Sequence, residues 1–316
     1  MKRLLFLAST LTISFSLSMA LVKEARAYSF TSLDVPGATA AIAYGINDAG
    51  SVVGSYYDAT GWYGFTYNGS SYSSLNVPGA TATLAFGIND AGGVVGYYYD
   101  ATVVRYGFTY DGSSYSSLNV PGAIETVAFG INDAGGVAGY YTDATGLHGF
   151  TYNGSSYSSL NVPGATATVA FGINDAGSVA GYYIDATGLY GFTYNGSSYS
   201  YLNVPGATGT EAYGINDAGS VVGSYYDATG RYGFTYNGSS YSSLNVPGAT
   251  ATEAYGINDA GSVVGWYYDA TGGYGFIATA QPGDPTYNAS VPEPSTLLLL
   301  GSGFAGLAVF RKRFKE

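Results

Sequence analysis

TLAFGINDAGGVVGYYYDATVVRYGFTYDGSSYSSLNV, residues 83–120, holds one complete copy of the pattern that builds this chain. Thr83 to Ile88 alternates large Leu84, Phe86 and Ile88 with small Ala85 and Gly87, the period-2 signature of a strand. Asn89-Asp90-Ala91-Gly92 is turn chemistry, with a glycine placed for positive φ. Val94 to Tyr99 is β-branched and aromatic with apolar groups on both faces, which predicts a strand covered on both sides. After the Asp100-Ala101-Thr102 turn, Tyr106 to Tyr110 sets Tyr106, Phe108 and Tyr110 on one face. Asp111-Gly112, which is Asn-Gly in four other copies, predicts a two-residue hairpin turn. Tyr115 to Val120 is the fourth strand, and Pro121-Gly122 ends it.

The copy recurs along the chain. Gly-Ile-Asn-Asp starts at Gly45, Gly87, Gly130, Gly172, Gly214 and Gly256, with spacings of 42, 43, 42, 42 and 42 residues. The extra residue belongs to Asp100-Ala-Thr-Val-Val-Arg-Tyr106, a predicted loop where an insertion costs little. Four short strands in about 40–45 residues are the signature of a β-propeller blade. The last copy stops after its third strand, Tyr274 to about Ala278, and the first is preceded by a spare strand, Tyr28 to Val35. The predicted fold is therefore all-β: a six-bladed β-propeller of four-stranded antiparallel blades, closed by the N-terminal strand, leaving no unpaired edge. The alternative, a β-solenoid or two-sheet array, needs distinct polar caps, and the sequence offers none.

These units resemble the HAF repeats, a family of bacterial extracellular repeats. The matching text is Gly-Ile-Asn-Asp-Ala-Gly-x-Val-Val-Gly-x-Tyr, then Asp-Ala-x-Gly, then (Tyr/His)-Gly-Phe. The resemblance covers about Tyr28 to Phe276 and implies an exported repeat protein without an established reaction. His148 stands where the other copies have Tyr.

Composition removes whole classes of function. The 316 residues include no Cys and a single His, which excludes disulfides, thiolate chemistry and an ordinary multi-histidine zinc site. Residues 28–291 carry 15 Asp and 3 Glu against only Arg105 and Arg231, a surface that repels phosphate backbones, so no nucleic-acid partner is expected. Both chain ends are basic and apolar instead.

Residues 1–27 read as a secretory signal: Lys2 and Arg3, an apolar stretch to about Val22, and Ala25-Arg26-Ala27 as the small-x-small cleavage site. Ser18-Met19-Ala20 is a second candidate cut, and an uncleaved anchor is the alternative. Residues 28–278 form the repeats, 279–290 a linker and 291–316 a tail. The tail runs Val291-Pro292-Glu293-Pro294, an uncharged stretch Thr296 to Phe310, then Arg311-Lys312-Arg313. As a helix that stretch spans only about 22 Å, short for a bilayer core of about 30 Å. The tail resembles the PEP-CTERM sorting signal of Gram-negative bacteria. That resemblance implies an exosortase partner, transient attachment to the inner membrane through the apolar helix, removal of the tail and delivery to the cell surface, often alongside exopolysaccharide. A permanent tail anchor is the alternative.

A catalytic centre needs polar groups of tuned pKa converging on one place, and near-identical copies with one histidine do not predict one, so the chain is not expected to be an enzyme. No cofactor is expected either. Asp recurs in Asn-Asp-Ala-Gly and Asp-Ala-Thr, where Ca²⁺ is the alternative to turn chemistry, in which the side chain bonds nearby backbone amides. Asn68, Asn153, Asn195 and Asn237 form glycosylation sequons that read as turns. Two columns vary between copies. One is Ile42, Leu84, Val127, Val169, Glu211 and Glu253, predicted near solvent at a channel mouth because it accepts Glu. The other is Trp62, Arg105, Leu147, Leu189, Arg231 and Gly273, predicted at a loop tip. Trp62, Arg105, Arg231, Glu211 and Glu253 are the candidate ligand-facing residues. The expected function is a structural or adhesive role at the cell surface or in the extracellular matrix, with a lectin-type exopolysaccharide-binding module as the alternative.

Overall fold

The structure, a computed structural model, describes residues 28–281. The predicted signal and its cleavage residues Ala25 and Ala27, and the tail with Val291 to Pro294 and Arg311 to Arg313, lie outside the described residues. Among the described residues every regular element is a strand.

Strand β1 (Tyr28–Leu33) precedes a first unit made of β2 (Ala40–Ile46), β3 (Val52–Tyr57), β4 (Trp62–Tyr67) and β5 (Tyr72–Leu75). Each pairs antiparallel with the next, through Ile42↔Ser55, Tyr56↔Tyr63 and Phe65↔Ser74. The second unit repeats this over Ala82–Ile88, Val94–Tyr99, Arg105–Tyr110 and Tyr115–Leu118. Its last strand ends two residues before the expected Val120, because the Val120 carbonyl accepts the Ala123 N–H in the Pro-Gly turn. Units one and two are separate four-stranded sheets; the later units are linked into one larger sheet only by single parallel pairs such as Leu147↔Ala167. The sixth unit supplies three strands of its own. Its outer strand is β1, which pairs antiparallel with Gly273–Ala280 from Tyr28↔Ala280 to Leu33↔Gly275.

Packing follows from the composition of β3 and β4. Val52 and Val53, on opposite faces of β3, are both fully buried, as are their counterparts Val94 and Val95. A strand buried on both faces is what a sheet clasped between two others requires. Phe65, Phe108, Phe150, Phe192, Phe234 and Phe276 are the largest fully buried side chains, one from each unit. Each ring lies over a glycine of the adjacent strand: a Cβ on Gly96 would fall 2.9 Å from the Phe108 ring and 2.0 Å from the Leu84 carbonyl. Burial of one such ring contributes about 1.5–3 kcal/mol.

The glycine of Gly-Ile-Asn-Asp has a different cause. The first strand of each unit bulges just before it, between Ala43 and Gly45 in β2. A Cβ on Gly45 would meet the Phe86 carbonyl at 2.5 Å, one on Gly130 the Phe171 carbonyl at 2.6 Å, and one on Gly256 the Tyr44 carbonyl at 2.7 Å. First strands of successive units thus touch backbone to backbone, and the last touches the first. Gly130→Ala is expected to lower stability by about 2–3 kcal/mol, the cost of overpacking where the obstacle is backbone. Urea melts check this: an unchanged midpoint would mean that the units can spread apart.

One connection departs from expectation. β4 and β5 are joined by four residues, Asn68 to Ser71, rather than by a two-residue Asn-Gly turn. The Asn68 Oδ1 accepts the backbone N–H groups of Ser70 at 3.0 Å and Ser71 at 2.9 Å, so the side chain builds the turn. Asn153, Asn195 and Asn237 are engaged in the same way.

Candidate functional site

Three closed belts surround the common axis, all drawn from the stretch around Gly-Ile-Asn-Asp. In the first, each buried Asn donates its Nδ2 hydrogen to the Asn carbonyl of the next unit, from Asn47 to Asn89 at 3.1 Å and finally from Asn258 back to Asn47 at 3.0 Å. In the second, each Asp N–H donates to Oδ1 of the next unit's Asp at 2.8 Å, from Asp48 to Asp90 and finally from Asp259 back to Asp48. These Asp residues were expected to serve their own turns. They bridge units instead, because the turn itself is closed by backbone and Asn bonds: the Gly50 N–H donates to the Asn47 carbonyl and the Ser51 N–H to Asn47 Oδ1. The other Asp set does serve its own turn. Asp58 Oδ1 accepts the Thr60 N–H at 2.7 Å and the Thr60 hydroxyl at 2.6 Å, which holds its carboxyl below the usual range.

The third belt is aromatic. Tyr44, Phe86, Phe129, Phe171, Tyr213 and Tyr255 follow one another with centroid separations between 4.1 and 5.0 Å, and Tyr255 returns to Tyr44. The axis is therefore filled with rings, leaving a void of about 70 Å³ between the aromatic and Ile levels. At the Asp mouth a shallow funnel of about 80 Å³ remains. There, burial and the like charges across the ring raise the Asp48 and Asp259 carboxyls above the usual range.

The two variable columns meet toward the other end of the first strands, and both expectations about them need correction. Trp62, Arg105, Leu147, Leu189, Arg231 and Gly273 lie in the third strands of their units, not at loop tips, because pairing such as Tyr57↔Trp62 carries the ladder that far. Glu211 and Glu253 are not near solvent: they are 9% and 4% exposed. Arg231 makes that burial possible. Its Nη2 donates to Glu211 Oε2 at 2.7 Å, its Nη1 to Glu253 Oε1 at 2.5 Å and its Nε to the Ser224 hydroxyl at 3.2 Å. The Tyr213 hydroxyl donates to Glu211 at 2.7 Å and the Tyr255 hydroxyl to Glu253 at 2.5 Å. Burial, reinforced by the adjacent carboxylates, keeps both phenols protonated far above neutral pH. Three of the five candidate residues thus satisfy one another across the fifth and sixth units.

The remaining two are separate. Arg105 donates to the Tyr99 hydroxyl at 3.1 Å and to Tyr140 of the third unit at 2.8 Å, with Glu125 at 3.8 Å. Trp62 is half-buried against Tyr57, centroids 5.4 Å apart. His148 takes the place of a tyrosine hydroxyl: its Nε2 lies 2.7 Å from the Thr145 hydroxyl, as the Tyr63 hydroxyl lies 2.8 Å from that of Thr60.

A feature the sequence did not single out is a groove of about 430 Å³ between the third and fourth units, lined by neutral residues including Thr151, Ser158, Leu160 and Tyr194. The signal was present as a departure from the repeat: Gly136 lines it where Ser51, Ser178, Ser220 and Ser262 stand in other units.

Residues 290–313 match the PEP-CTERM protein-sorting motif. No curated protein matches the chain. Among solved structures it is similar to the putative TolB from Agrobacterium tumefaciens, 10% identical over 76% of this chain and 90% of that one, TM-score 0.54. It is also similar to AofleA from Arthrobotrys oligospora, 12% identical over 80% and 86%, TM-score 0.51. These likenesses show an all-β, propeller-like fold. A further neighbour is virginiamycin B lyase from Staphylococcus aureus, 12% identical over 77% and 82%, TM-score 0.48. The expectation that the chain is not an enzyme does not stand: its structural neighbours include this lyase, a likeness that assigns the chain no activity. The sorting motif implies export and attachment to the membrane before processing. Among the described residues no helix is long and apolar enough to cross a membrane.

Proposed function

We propose that residues 28–278 form a closed six-bladed β-propeller of HAF-type repeats that is exported behind residues 1–27, processed by an exosortase and displayed at the cell surface or in the extracellular matrix in a structural or adhesive role. The observation that carries this reading is the PEP-CTERM match at residues 290–313. Support for closure comes from the belts that return to Asn47, Asp48 and Tyr44 and from β1 completing the sixth unit. The reading calls for no cofactor.

Processing is tested by intact mass and fractionation of the native protein beside a Pro292→Ala/Pro294→Ala variant. The wild type is expected to lose both ends and leave the membrane, while the variant stays in the membrane at higher mass. A wild type that keeps its tail in the membrane overturns sorting in favour of a permanent anchor.

A second reading, binding of extracellular polysaccharide, is favoured by the uncharged, hydroxyl-lined groove between the third and fourth units. Trp62 and Arg105 remain candidates for ligand contact at the end where the variable columns lie.

A further inference from the structure

Resting on the polysaccharide reading, we propose that the groove between the third and fourth units is a binding site for a neutral saccharide, with Thr151 and Ser158 as its hydroxyl contacts. Thr151 and Ser158 are direct cross-strand partners, so both hydroxyls leave the same face of the sheet. That face carries Ala138, opposite Thr151 in the ladder, and Ala138 packs with Phe192 of the fourth unit, so the pair points into the junction. Neither hydroxyl has a hydrogen-bond partner among the described residues, whereas the Ser155 and Ser156 hydroxyls nearby are spent on Asn153. Leu160 and Ile173 give the groove an apolar floor. The Tyr194 hydroxyl is occupied by the Gly196 carbonyl at 2.8 Å, which leaves its ring, packed in the same core as Leu160 and Phe192, as a wall. Apolar surface beside a few unspent polar groups, in about 300–1,000 Å³, is the chemistry of a small-ligand cleft. A ring beside hydroxyls suits a sugar, which offers both an apolar face and a rim of hydroxyls.

Two substitutions set this junction apart from its relatives in sequence. Gly136 removes the serine that four other units hold at the equivalent position. The second unit has the same opening at Gly93, but Asp111 there brings a carboxylate where the third unit has Asn153. The groove between units three and four thus combines the added space with a lining free of charge. The acidic ring around it disfavours anionic polymers, which selects neutral polysaccharide.

The test is affinity electrophoresis of the exported protein in gels containing dextran, galactan, glucomannan or, as the anionic comparison, alginate. The wild type is expected to be retarded by at least one neutral polymer and to run freely in alginate. Thr151→Val/Ser158→Ala and, separately, Gly136→Ser are each expected to weaken that retardation at least tenfold with an unchanged melting temperature. Gly136→Ser introduces a residue that four other units already carry, so it decides the matter if the double variant folds poorly. Undiminished retardation of the folded variants overturns the groove while the polysaccharide reading stands. Retardation by alginate alone overturns the neutral class, and free migration of the wild type in every gel overturns the reading together with the groove.

Discussion

Arg231→Leu is expected to destabilise the fold by about 3–5 kcal/mol at pH 7, the loss seen when one partner of a buried charge cluster is removed. The variant leaves Glu211 and Glu253 buried, at 9% and 4% exposure, without their shared cation. The effect carries a pH signature. Burial raises the Glu253 carboxyl above its usual range, and Arg231 is the strongest influence holding it down. A carboxyl whose folded pKa is raised subtracts from stability above its unfolded value of about 4.3, and the loss is relieved as pH falls through the folded value. Removing Arg231 raises that folded value further, so the deficit of Arg231→Leu in urea melts should shrink between pH 7 and pH 5. A deficit equal at both pH values would mean that the lost packing of the arginine stem, not charge, is responsible.

The rest of the ring supplies the complementary test. Units three and four hold Val127 and Val169 in the glutamate slot, Leu147 and Leu189 in the arginine slot, and Phe129 and Phe171 in the phenol slot. Arg231→Leu combined with Glu211→Val, Glu253→Val, Tyr213→Phe and Tyr255→Phe imports that apolar solution whole. It is expected to recover most of the lost stability, since well-packed apolar groups replace buried ion clusters at little cost. Failure to recover would show that the cluster also fixes how the fifth and sixth units dock.

The cluster illustrates what was legible in the sequence. Period and strand number were readable because each follows from alternation and turn residues within one unit, and the pairing of β1 with the last strand because the first copy has a strand to spare where the last lacks one. The side-chain links between neighbouring units were not, because a residue 42 positions away has no local signature. Asp48 was read as serving its own turn, yet it accepts a hydrogen bond from Asp259, 211 residues distant in sequence. Glu211 was assigned to solvent because an apolar column that admits Glu suggests exposure. The clue to burial lay in co-occurrence: the two units with Glu also have Tyr two residues later, and the arginine sits between them in sequence. Gly136 and Gly93 were visible as departures from Ser, but a missing side chain becomes space only once its neighbours in the next unit are known.

Beginning the exported chain at Pro36, so that β1 is absent, is expected to cause the second large loss. β1 is the outer strand of the sixth unit, paired along its whole length with Gly273–Ala280. Leu33 and Val35, both nearly fully buried, pack in one core with Ala41, Val52 and Phe65 of the first unit, and Phe30 packs on Phe276 at 5.7 Å. Burial of each large apolar side chain is worth about 1.5–3 kcal/mol, so the segment contributes several kcal/mol before its ladder is counted. Its removal also strips the cover from an eight-residue strand, a length of exposed edge that recruits other chains. The shortened protein should melt at least 10 °C lower and elute as oligomers in size-exclusion chromatography with light scattering. A synthetic Tyr28–Val35 peptide should restore the monomer by adding the missing strand in trans. A shortened protein that stays monomeric at the original melting temperature would mean that the three axial belts hold the ring shut unaided, with β1 only a cover on its last sheet.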